Sequence, residues 1–122
     1  MNRKVKVYII GPLYSSGTMG SNIRAAIEAF IKIRRMGALP FIPHLYFFLD
    51  LISPQLRKYW LELDLDWVDD CDCAFRLPGE SSGGDGEEAR MAANGRSTFT
   101  SYVKLRQFIE RKTVEWSNRG TI

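Results

Sequence analysis

The chain has 122 residues, 45% hydrophobic, 25% charged and 12% aromatic, a composition that suits one domain around one core and excludes a chain disordered throughout. Its 17 basic and 14 acidic residues leave a net charge of +3, without the clustered basic and aromatic surface that nucleic-acid binding needs. No run reaches the ~18–20 apolar residues that span a bilayer, so neither a nucleic acid nor a membrane is the expected partner. The opening Asn2-Arg3-Lys4-Val5-Lys6 leads into a strand-like run rather than the apolar core of a signal peptide. Cys71 and Cys73 stand too close in sequence for an unstrained disulfide. They read as reduced residues of a single cytoplasmic domain over residues 1–122.

Val5 to Ile10 is β-branched and stops at Gly11-Pro12, which marks a strand entering a loop. The Gly/Ser-rich loop from Gly11 to Gly20 exceeds the ~2–6 residues usual for a strand-to-helix connection. Ser21 or Asn22 is placed to cap a helix carrying Ile23, Ile27, Phe30, Ile31 and Ile33, closed by Arg34-Arg35 and Gly37. A second strand spans Ala38 to Pro43. Tyr46 to Leu56 has no clear period, and a helix is expected from Gln55 to Asp70. Cys71 to Leu77 reads as a third strand and Pro78 to Gly86 as a glycine-rich turn. A helix from Glu87 to Ala93, a strand from Ser97 to Ser101 and a helix from Val103 to Trp116 complete the order. Strands alternating with helices predict a three-layer α/β domain of flavodoxin- or Rossmann-like kind, with a parallel sheet of four to five strands and helices on both faces. The loops after strands one and three then share the C-terminal sheet edge, where such folds bind ligands.

The densest chemistry lies in Ser82-Gly-Gly84-Asp-Gly86-Glu-Glu88. Glycines let backbone amides approach a ligand, a helix N-terminus favours an anion, and Ser82 supplies a hydroxyl. A carboxylate at Glu88 is the group a nucleophilic attack on an anomeric carbon requires, and Asp64 supplies a second carboxyl to assist the leaving group. Glu87 is adjacent, but its spacing from Ser82 favours Glu88.

These residues resemble the nucleoside 2-deoxyribosyltransferase superfamily, including the deoxynucleoside 5′-monophosphate N-glycosidases. The likeness covers Val5 to Gly95. It is carried by Tyr8-Ile-Ile-Gly11-Pro12, by Asp64 eight residues before Asp72, and by Ser82-x-Gly84-x-Gly86-x-Glu88-x-x-x-Ala92. The resemblance implies cleavage or transfer at the N-glycosidic bond of a (deoxy)nucleoside or its 5′-monophosphate. Glu88 would form a glycosyl-enzyme intermediate and Asp64 would help the base depart. It implies substrate contacts from Ser82, Gly84, Gly86, Gly11, Pro12, Asn22 and Tyr8, no metal or cofactor, and a homodimer or higher homo-oligomer with Ser117 or Asn118 as candidates to cross between subunits. Ser82 stands where the nucleotide hydrolases contact a 5′-phosphate. The arginine of their first loop is missing, and Arg24 is the nearest substitute.

Other readings stay open at this level. Asn22 serves equally as a helix cap and Tyr8 as a packed sheet residue. His44 reads first as structural, and Trp60 and Trp67 as core. Asp64-Leu-Asp66 raises a magnesium-dependent phosphohydrolase, weakened because the segment has helical rather than strand character. A non-catalytic nucleotide-binding protein of the same fold would use the same glycine-rich segment.

Overall fold

The computed structural model describes residues 3–119. Four strands, β1 (Lys6–Ile10), β2 (Leu39–Phe41), β3 (Cys73–Arg76) and β4 (Thr98–Phe99), form one parallel sheet in the order β2-β1-β3-β4. The helices are α1 (Met19–Arg35), α2 (Tyr46–Ile52), α3 (Arg57–Asp70), α4 (Ser82–Ala93) and α5 (Tyr102–Asn118), with a 3-10 turn over Pro43–Leu45. This is the expected three-layer α/β architecture.

The side-chain alternation of the central strand sorts the helices. Val7 and Ile9 face a core built with α1 and α5, including Ala26, Ala29, Ile33, Leu105 and Ile109. Tyr8 and Ile10 face the other way, toward Val68 of α3 and Met91 of α4. From β1 the chain steps to β2 on one side and later to β3 on the other. Right-handed crossovers leaving in opposite directions put α1 and α4 on opposite faces. A crevice therefore opens at the C-terminal ends of β1 and β3, the switch point of the strand order.

Several boundaries move from the sequence reading. The cap of α1 is Thr18, in a reciprocal capping box with Ser21, and Asn22 instead donates to the carbonyls of Leu13 (3.0 Å) and Ser16 (2.6 Å), tying down the first loop. The aperiodic segment becomes the 3-10 turn and α2, none of whose seven residues is buried. Trp67 is 39% exposed and stacks on Phe41 at 4.5 Å, outside the core. The glycine-rich turn is much shorter than expected. Ser81 accepts the Gly84 amide at 2.9 Å and starts α4 at Ser82, so Gly83, Gly84 and Gly86 are helical. That cap outweighs the poor helix propensity of three glycines because the amides would otherwise lack partners.

Gly84 seats α4 on the sheet. A methyl group there would come within 2.9 Å of Ile10 Cγ2 and 3.0 Å of Ser81 Oγ. Gly84→Ala is expected to lower stability by about 1–3 kcal/mol through overpacking, read as a lowered denaturation midpoint. Gly86→Ala, where the added carbon meets nothing within 4 Å, is expected to be neutral or stabilising.

Candidate active site

The buried face of α4 carries Gly84, Glu87 and Met91. Seating Gly84 on β1 therefore brings Glu87, one turn later, over the same strand. The Tyr8 hydroxyl donates to Glu87 Oε2 at 2.7 Å, and Glu87 is 6% exposed. From α3, the Asp64 carboxyl meets Glu87 in a hydrogen bond that requires one proton between the two acids. Burial and the neighbouring Glu87 charge push Asp64 up to about 8. Burial raises Glu87 too, opposed by the bonds from Tyr8 and Asp64. Tyr8 itself rises well above its ordinary range and stays a donor. Near neutral pH Asp64 thus keeps its proton, and the bonds from Tyr8 and Asp64 oppose the upward push of burial on Glu87.

The acid pair borders a cavity of about 580 Å³ at the crevice. Gly11, Leu13, Tyr14 and Ser15 line it from the first loop, and Ser81, Ser82, Gly83 and Gly84 from the start of α4. His44, Tyr46, Phe47, Asp50, Arg57 and Trp60 form further wall. Arg57 Nη2 donates to Ser82 Oγ at 3.1 Å, which sets a guanidinium beside the α4 N-terminus. His44 is 3% exposed, its ring against the Gly11 and Pro12 backbone without a well-formed hydrogen bond, and burial lowers its pKa.

Of the residues singled out in sequence, Asp64, Ser82, Gly84 and Gly11 line the cavity, and Tyr8 reaches it through Glu87. Glu88 does not. A step of one residue turns a helix by 100°, and Glu88 instead pairs with Arg76 at 3.1 Å, outside the cavity wall. Nor do 87 and 88 lie in the first turn, so the helix dipole contributes little to either. Gly86 is on the exposed face, Pro12 packs near Gly79, and Asn22 serves the loop. Arg24 pairs with Glu28 on the exposed face of α1 and does not line the cavity. Asp72 takes Arg3 and the Lys6 amide at the opposite sheet edge, so its spacing from Asp64 is structural. Asp66 is exposed while Asp64 faces Glu87, so the two do not converge on a cation.

Glu87, Arg57, Asp50, Trp60 and His44 were not picked out as site residues. One signal was available for Glu87: Met91, the only large apolar residue in α4, is four positions away and in phase with it, not with Glu88. Trp60 and Asp64 likewise share a face of α3. No local pattern distinguishes Arg57 or Asp50.

The chain belongs to a family described as a domain of unknown function, DUF7768, whose profile matches residues 5–102. No curated protein matches it. Among solved structures it is similar to a 2-deoxyribosyltransferase of the psychrotolerant bacterium Bacillus psychrosaccharolyticus, a biocatalyst for nucleoside synthesis. That likeness has 17% identity and a TM-score of 0.51, and covers 77% of this chain and 69% of the other. It is also similar to a 2-deoxyribosyltransferase of Leishmania mexicana, at 21% identity and a TM-score of 0.54. There it covers 77% of this chain and 61%, under two thirds, of that enzyme. At these identities the likeness establishes the fold.

The acid pair has a pH signature. Asp64 titrates near 4 unfolded and at about 8 folded, so over that window the folded state holds the extra proton and stability falls as pH rises. Asp64→Asn is expected to flatten this decline, measured as denaturation midpoints at several pH values between about 4 and about 8.

Proposed function

We propose that this family member cleaves or transfers the N-glycosidic bond of a (deoxy)nucleoside or nucleoside 5′-monophosphate, with Glu87 as nucleophile. The observation that carries the reading is the pairing of the buried Glu87 with the half-buried Asp64, whose carboxyl is pushed up to about 8, at the edge of a nucleoside-sized cavity. A Glu87 oxygen attacks C1′ and forms an ester as the C1′–N bond breaks. The bond's electron pair goes to the base, which takes the Asp64 proton. Water or a second base then attacks C1′, the now ionised Asp64 accepts the incoming proton where one is released, and Glu87 leaves as a carboxylate. Contact between the two carboxyls favours this covalent route, because an inverting pair stands roughly 6.5–9.5 Å apart to hold a water. Tyr8 fixes the Glu87 rotamer.

Ser82, the Gly83 amide and Arg57 lie on the cavity wall at the α4 N-terminus, a setting that suits a 5′-phosphate. This arginine answers the one missing from the first loop. The assembly we propose is a homodimer or larger, supported by the exposed apolar side chains Phe48, Leu49, Leu51, Ile52 and Leu56 beside the cavity. The buried thiols of Cys71, held up at about 12, and Cys73 suit a reducing, cytoplasmic setting.

Incubation with a panel of nucleosides and 5′-monophosphates, with and without acceptor bases, is expected to release or exchange base, detected by chromatography. Asp64→Asn is expected to cut the rate by about 10²–10⁴-fold and Glu87→Gln by more, with ligand binding kept. Glu88→Gln is expected to change it by no more than about threefold, because the Glu88–Arg76 pair lies outside the cavity wall. The rate should fall as pH rises through about 8, where Asp64 loses its proton. A parent protein that binds nucleotides without turnover would instead be a binding protein.

A further inference from the structure

Away from the acid pair, the cavity wall turns aromatic. Tyr46 and Trp60 stack at 5.5 Å, and Phe47 of α2 meets Tyr14 of the first loop edge-on at 6.5 Å. One carboxylate stands among these rings, that of Asp50. Its Oδ1 accepts both the Gln55 amide at 2.9 Å and the Trp60 indole N–H at 2.7 Å. Those two donors fix the carboxylate's direction and hold it below its ordinary range. They leave Oδ2 with no protein donor among the described residues. An asparagine Oδ1 would still accept from both internal donors, though more weakly, so neither donor needs Oδ2 and that oxygen is open to a third partner. Trp60 lies one helical turn before Asp64, about 6 Å along the axis. A sugar whose anomeric carbon is at Glu87 would thus set a planar heterocycle toward Asp50.

We infer that Asp50 reads the edge of the departing base and selects bases that present an amino group, as cytosine, adenine and guanine do, over the imide edge of uracil and thymine. This rests on the glycosidic reading above. An exocyclic N–H donates to Oδ2. An imide N–H is flanked by two carbonyl oxygens, and bringing it to a carboxylate sets those oxygens against a like charge beside the aromatic wall. The stacked rings hold any base by its face; the carboxylate discriminates by its edge.

The test measures equilibrium binding of cytidine, adenosine, guanosine, uridine and thymidine 5′-monophosphates to the Glu87→Gln protein, and turnover of the same panel by the parent. The amino-bearing set is expected to bind on the order of tenfold more tightly and to be turned over preferentially. Asp50→Asn keeps the acceptor that Gln55 and Trp60 use and replaces Oδ2 by an N–H₂ donor, so it is expected to erase or reverse that preference. Equal affinity across the panel overturns the proposal, as does a uniform loss in Asp50→Asn. Should that variant fail to fold, the parent's own preference decides. Preference without turnover supports base reading and removes the glycosidic one; turnover without preference does the reverse.

Discussion

The contact among Tyr8, Glu87 and Asp64 ties three elements, β1, α4 and α3, into one unit. A lone carboxylate moved into a protein interior costs several kcal/mol, while one hydrogen bond to a charged group returns about 1.5–3 kcal/mol. The Tyr8 bond alone leaves Glu87 undercompensated. Protonation of Asp64 closes much of the gap, because it converts the nearest like charge into a second donor. The site is therefore built around a shared proton, held by α3 and α4 from one side and β1 from below.

That contact depends on how closely α4 sits on the sheet. Gly84 against Ile10 sets the distance, and Ser81 sets the point at which the helix begins. A bidentate bridge from Arg90 to Asp69, with Asn94 on the same carboxylate, clamps α4 to α3 near their far ends and holds Asp69 down at about 2. Arg76, at the end of β3, takes Asp85 at 2.8 Å and Glu88 at 3.1 Å. Those outward acids are thereby turned toward a cation outside the cavity wall.

The opposite wall is made differently. α2 offers Tyr46, Phe47 and Asp50 to the cavity and buries no residue of its own. It is held by the Asp50 bonds to Gln55 and Trp60, by the stacking of Tyr46 on Trp60 and by the 3-10 turn before it. One side of the site is thus rigid, set by sheet packing, and carries the acids. The other is thin and aromatic.

The α/β class, the four parallel strands and the placing of a site at the edge after β1 and β3 were legible in the sequence, because apolar periodicity and glycine punctuation are local properties. Asp64 and the Ser82–Gly84 segment were legible as well, as residues near a glycine-rich connection. Which of Glu87 and Glu88 faces the cavity was not legible, since it depends on where α4 starts. A cap at Ser81 overrides the turn that three glycines imply, and one residue of phase rotates a carboxylate from the cavity to the outside. Asp50 comes to the site from the segment without a period, and Arg57 and Trp60 from the start of the helix after it, through contacts that no local pattern marks. The order of residues by itself determined which elements form and which sheet edge they leave open. Tertiary packing alone decided which acid is buried against which, because burial and a shared proton exist only between side chains that the fold brings together.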